Sequence, residues 1–126
     1  MKLLRILFAL FFVMTASIAH ALEIKPYTAA ALAAAQQANQ PLALHFHADW
    51  CPVCRAQSKV LEGLKADKAL AITVFVVNYD TEKALKKQFG VRTQSTIIVF
   101  KGKHETARLA GESDVEQIRA ALVSAL

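Results

Sequence analysis

Cysteine is nearly absent from this chain: two of 126 residues, Cys51 and Cys54, both in the stretch HFHADWCPVC that runs from His45 to Cys54. With no second pair, a multi-disulfide framework is excluded, and a closed four-ligand zinc site lacks its ligands. Basic stripes interleaved with aromatics are also missing. Lys83, Lys86 and Lys87 form the one small cluster and read as a solvated helix face, so nucleic-acid binding is not indicated. No glycine-rich phosphate loop, flavin motif or nicotinamide motif occurs, which leaves the cysteines as the whole redox apparatus. No low-complexity linker or internal repeat divides the chain. After the first stretch, no apolar run is long enough to cross a bilayer.

That first stretch has the form of an export signal. Lys2 and Arg5 precede the apolar run ILFALFFVM (residues 6–14), and Ala19-His20-Ala21 fits a small-x-small cleavage site. The run is shorter than the roughly 20 residues of a membrane-spanning helix. No lipobox cysteine stands near the cleavage point. The expectation is a cleaved signal peptide over 1–21, location in the periplasm, and a mature chain from Leu22 to Leu126. Of 15 Lys and Arg against 10 Asp and Glu, Lys2 and Arg5 fall in the leader, so the mature chain is formally +3. Its length suits one domain.

Periodicity and punctuation place the elements. TAAALAAAQQAN (28–39) predicts a helix capped by Thr28 and stopped before Pro41. LALHFH (42–47) reads as a strand. A helix follows from Pro52, with Val53, Ala56, Val60 and Leu64 at helical spacing. AITVFVVN (71–78) suits a strand buried on both faces. Residues 81–89 predict a helix ended by Gly90. TIIVFK (96–101), a Gly102-Lys103 turn and residues 104–110 predict a hairpin. Gly111 then breaks the chain before a last helix, with Ser113 as N-cap and Glu116 completing a capping box. The order predicts an α/β domain with a mixed sheet, parallel through the crossovers and antiparallel at the final hairpin.

For the cysteines three roles compete. A structural bridge closing four residues constrains the unfolded chain little, about 2 kcal/mol. A metal site would need partners beyond His45, His47 and His104, the histidines outside the leader. The redox role accounts for more of the neighbourhood. Pro52 at a first helical position puts Cys51 at the helix N-terminus, where free N–H groups and the macrodipole favour a thiolate. Cys54 lies one turn on, on the same face, able to resolve a mixed disulfide.

FHADWCPVCRAQ, VVNYD (76–80), FGVRTQSTIIVFKGK (89–103) and Leu109-Ala110-Gly111 together resemble the thioredoxin family, over nearly the whole mature chain. The nearest likeness is to small exported bacterial members of the CPxC type. The resemblance implies a thioredoxin fold and thiol-disulfide oxidoreductase activity without a bound cofactor. It implies a nucleophilic Cys51, a resolving Cys54 and a client groove formed by Trp50, Pro52, the Gln94-Ser95-Thr96 loop and Gly111. It further implies protein thiol and disulfide clients, a monomer, and electrons from a membrane thiol-disulfide interchange or cytochrome c biogenesis partner.

Three positions depart from the family pattern. Lys59 stands where the active-site helix of the type members has a kinking proline, which implies a straighter helix and carries no functional reading. Ser95 stands where members usually carry a cis-proline, and a non-proline cis bond costs about 2.5–4 kcal/mol, so the Gln94–Ser95 bond is expected trans. His45 stands where many members have a buried carboxylate. It is a candidate for proton transfer with Cys54, or a hydrogen-bonded core histidine. Neither Pro52 nor Val53 can donate a side-chain hydrogen bond to a Cys51 thiolate, which argues against an extreme oxidant without fixing a potential; the expectation is a reductant. The rival readings are an oxidant or isomerase, and a copper- or zinc-binding protein using the thiolates with His45 or His47.

Overall fold

The structure, a computed structural model, describes residues 21–126; the expected signal segment lies, apart from Ala21, outside them. Nine elements follow in order: β1 (Glu23–Pro26), α1 (Ala29–Gln37), β2 (Pro41–His47), α2 (Pro52–Leu64), β3 (Thr73–Asn78), α3 (Lys83–Phe89), β4 (Thr96–Lys101), β5 (His104–Ala110) and α4 (Val115–Val123). The five strands form one sheet in the order β1-β3-β2-β4-β5. β1 and β2 run parallel to β3, while β2–β4 and β4–β5 are antiparallel. The mixed sheet expected from the element order is therefore present. β1 was not foreseen: EIKP is four residues long, ends in proline and has no alternation. Its strand character comes from pairing with β3, Glu23 opposite Thr73 through Pro26 opposite Val76.

The central strands are apolar on both faces because helices cover both. One face packs Ala43, Val74, Ile97 and Val99 against Leu61 and Leu64 of α2 and Ile118 and Leu122 of α4. The other packs Leu42, Leu44, Phe46, Phe75, Ile98 and Phe100 against Leu32 and Ala35 of α1 and Leu85 of α3. Strand parity puts His45 on the α2 side, between Val76 and Ile97 in register.

Local chemistry sets most element ends. Thr28 caps α1, its hydroxyl accepting from the Ala31 N–H at 3.1 Å. Gly90 ends α3 at φ 65°, as expected. Two expectations are corrected. The N-cap of α4 is Asp114, not Ser113: its carboxylate accepts from the Gln117 N–H at 3.0 Å, and Glu116 lies in the first turn without closing a capping box on Ser113. A carboxylate one residue later outcompetes the serine hydroxyl because it carries the charge that the helix N-terminus favours. In α2 the buried stripe is Cys54, Gln57, Leu61 and Leu64, offset from the predicted one; Val53 is exposed. A polar residue in the inward stripe hid it from a reading by hydrophobicity.

The β4–β5 turn is tied to the end of α1 through Gly102, whose N–H donates to Gln40 O at 2.9 Å. Gly102 has φ 59°, and a Cβ there would lie 2.5 Å from Asn39 Oδ1. Gly102→Ala is expected to lower unfolding free energy by about 2 kcal/mol, combining left-handed strain with that clash. Urea denaturation of the reduced protein measures it; an unchanged midpoint would show that the turn relaxes freely.

Candidate active site

Both cysteines lie where β2 passes into α2. The Cys51 N–H donates to Ala48 O at 3.1 Å, and Arg55 Nη1 donates to Asp49 O at 2.8 Å, fixing the connecting turn. Cys51 is the N-cap of α2, with extended backbone and Pro52 following in the first turn. Its sulfur occupies the place usually held by a Ser or Asp oxygen, accepting from the Cys54 N–H at 3.2 Å. The Cys54 sulfur is fully buried one turn in, 3.9 Å from Phe46 O. Both thiols are free.

Ser95 closes the site from the opposite side. The Gln94–Ser95 bond is trans, as expected, and Ser95 is left-handed at φ 62°, a region costing an L-residue about 1–2 kcal/mol. Three bonds hold it there: its N–H donates to Phe46 O at 3.0 Å, and its carbonyl accepts from the Gly111 N–H at 3.0 Å and from Gln57 Nε2 at 2.9 Å. Its hydroxyl oxygen then lies 3.1 Å from Cys51 Sγ and 3.0 Å from Cys54 Sγ.

These contacts make the thiols unequal. Burial pushes Cys51 up, but hydrogen bonds from Cys54, Ser95 and the Cys54 and Val53 N–H groups outweigh it and leave the pKa below the usual thiol value. Burial raises Cys54, and its bond to Cys51 and the charge there raise it further. The Ser95 hydroxyl and the Ala48 N–H oppose the rise without cancelling it. A thiolate-prone outer sulfur beside a protonated inner one is the division of labour that disulfide exchange needs.

His45 is buried and its Nε2 lies 2.9 Å from Gln57 Oε1. Gln57 Nε2 donates to Ser95 O and, at 2.7 Å, to Glu112 O, so Oε1 must be the acceptor and His45 carries its proton on Nε2. Burial lowers the His45 pKa to about 4; the Gln57 bond opposes this and neighbouring His47 adds to it. The imidazole is thus neutral at neutral pH and is committed to Gln57. It joins the site through Gln57 and the Ser95 backbone.

Trp50 is 59% exposed at the rim, its Nε1–H donating to Asp80 Oδ2 at 3.0 Å. Pro52 and Gly111 are exposed, Gly111 joined to the Ser95 loop by its N–H, and Gln94 is half-buried. Thr96 is buried and turns its hydroxyl back to Thr93 O. A cavity of about 610 Å³ is lined by Lys25, Pro26, His47, Asp49, Trp50 and Asp80 among others. Among the described residues, no three His, Cys, Asp or Glu side chains converge as metal ligands. Gln57 and Asp80 were not anticipated. The spacing Cys54–Gln57 on one helix is the signal that would have found Gln57; nothing local marks Asp80, which meets Trp50 across thirty positions.

The thioredoxin family model matches residues 24–124. The chain belongs to the thioredoxin family. It is 34% identical over 90 residues to the thioredoxin of Alicyclobacillus acidocaldarius, covering 71% of this chain and 86% of that protein. Among solved structures it resembles Trxlp from Edwardsiella tarda, at 39% identity and a TM-score of 0.75, covering 79% of this chain and 98% of that one. Thioredoxin O2 from Arabidopsis thaliana matches at 25% identity and 0.67, covering 82% and 93%. With its two adjacent thiols, this thioredoxin-family protein is a thiol-disulfide oxidoreductase acting on protein thiols and disulfides.

Neutral His45 has a consequence for stability. Its pKa falls from an unfolded value near 6.5 to about 4 in the fold, so the unfolded chain takes up the proton first as pH drops. This contribution is complete above about pH 6.5 and is lost as pH falls towards 4, on the order of 3 kcal/mol in all. Urea unfolding between pH 7 and pH 4 should show a flatter pH dependence in His45→Gln than in the parent; equal slopes would contradict the assignment.

Proposed function

We propose that this protein is a periplasmic reductant of protein disulfides, kept reduced by a membrane thiol-disulfide interchange partner. The observation that carries the direction is the set of donors around Cys51. Its sulfur is served by two backbone N–H groups, one thiol and one hydroxyl, while the side chains of Pro52 and Val53 offer none. Such a thiolate is nucleophilic but not stabilised to the degree that makes a strong oxidant. The leader-like residues 1–21 support export, and export into an oxidising compartment makes an external electron source necessary.

In this reading Cys51 attacks the client disulfide and Cys54 resolves the mixed intermediate. Trp50, Pro52, Gln94, Ser95 and Gly111 border the client, and the domain works as a monomer with no bound cofactor. Ser95 takes the place that a cis-proline holds in other family members. His45 acts as a positioning residue: with Nε2 bonded to Gln57, it orients the amide that holds the Ser95 carbonyl. Direct proton exchange with Cys54 is the role this geometry favours less.

The test is the equilibrium reduction potential of the Cys51–Cys54 couple in metal-free protein lacking residues 1–21, poised in thiol buffers and read by thiol labelling. The expected value is near or below about −230 mV. A value near about −120 mV would make the protein an oxidant, and a couple that cycles only on release of metal would favour the copper or zinc reading.

A further inference from the structure

We propose that the Ser95 hydroxyl is a catalytic group: a single hydrogen-bond donor that stabilises the thiolate on Cys51 during attack and then the thiolate on Cys54 during resolution. The inference deepens the disulfide-exchange reading and rests on it. It starts from two nearly equal distances, 3.1 Å from Oγ to Cys51 Sγ and 3.0 Å to Cys54 Sγ. A hydroxyl has one proton to give, so it donates to one sulfur at a time.

In the dithiol state the outer sulfur is the anion. The hydroxyl donates to Cys51, and the Cys54 S–H is directed at the same thiolate. Cys51 then attacks a client disulfide: a Cys51–client S–S bond forms, the client S–S bond breaks, and its electron pair leaves on the second client sulfur, which takes a proton from water. Cys51 is no longer anionic, and the hydroxyl has lost its best acceptor. Rotation about Cβ–Oγ turns the same proton towards Cys54 without moving a heavy atom.

Cys54 now gives its proton to water, and its thiolate attacks Cys51 Sγ. The Cys51–Cys54 bond forms, and the first client sulfur departs with the electron pair and is protonated. Two electrons have passed from the dithiol to the client, and an electron-donating protein dithiol restores the starting state. Cys54 needs the hydroxyl more than Cys51 does. The cap serves Cys51 with the Cys54 and Val53 N–H groups, whereas Cys54 has the Ala48 N–H and faces the Phe46 carbonyl, an acceptor that favours the protonated thiol.

Ser95→Gly isolates the hydroxyl, because glycine holds φ 62° without strain and the Phe46, Gly111 and Gln57 bonds go to backbone atoms. The experiment places it in two parents, Cys54→Ala, which leaves Cys51 alone, and Cys51→Ala, which leaves Cys54 alone. Ultraviolet thiolate absorbance against pH then reads each sulfur separately. The expected result is a rise of about one pH unit in both parents. A rise confined to one sulfur, or in neither, overturns the proposal. Ser95→Ala in the same parents gives the same reading should the glycine variant fold poorly. The titrations involve neither client nor reductant, so an error in the direction of electron flow leaves them untouched. A missing shift would likewise leave the oxidoreductase activity standing.

Discussion

The site depends on the backbone of one residue held in an unfavourable conformation. Ser95 at φ 62° would relax to an ordinary extended geometry if released, and its hydroxyl would swing away from the sulfurs. Bonds to β2, to the residue after β5 and to α2 prevent that, through Phe46 O, the Gly111 N–H and Gln57 Nε2. Each is worth about 1 kcal/mol net, so together they exceed the strain of about 1–2 kcal/mol. The position of the hydroxyl is therefore an outcome of sheet pairing and helix docking, not of the loop itself.

That dependence explains why a histidine and a glutamine occupy the core between β2 and α2. Gln57 must present its N–H groups to Ser95 O and Glu112 O, which leaves Oε1 in need of a donor in an apolar layer. His45 supplies it from the facing strand. A carboxylate at the same position would be a second acceptor facing Oε1 and would leave the glutamine unsatisfied, or force it to turn away from Ser95. Side chains 12 residues apart are thus chemically matched, and the neutral imidazole is the form that the match requires.

Much of this was legible in the sequence, for local reasons. The Thr28 cap, Pro52 opening α2, Gly90 closing α3 and the β4–β5 hairpin all rest on chemistry within a few residues, and the cysteine pair carried its own context in Trp50 and Pro52. What escaped depends on partners far along the chain. β1 is a strand because β3 pairs with it, Gln57 points inward because two carbonyls from distant loops meet it, and Asp80 reaches Trp50 beyond the carboxyl ends of the neighbouring strands β3 and β2. Ser95 was legible as a position but not as a conformation. Nothing in Gln94-Ser95-Thr96 announces a positive φ, which tertiary bonds impose.

The same distinction accounts for the unequal proton affinities of the two cysteines. Free N–H groups at the start of a helix point back towards the cap, so a sulfur at that position collects them, while a sulfur one turn in has spent its own N–H on the cap. Cys51 receives the Cys54 N–H in this way, and the donation that lowers one thiol is made by the residue carrying the other. Burial then separates them further, because Cys54 lies under the helix against β2, where a charge is costly. The inequality between the two thiols is a property of helix polarity. It would persist with any residues between the cysteines that keep Cys51 at the cap, while those residues and Ser95 set how far apart the two affinities for a proton lie.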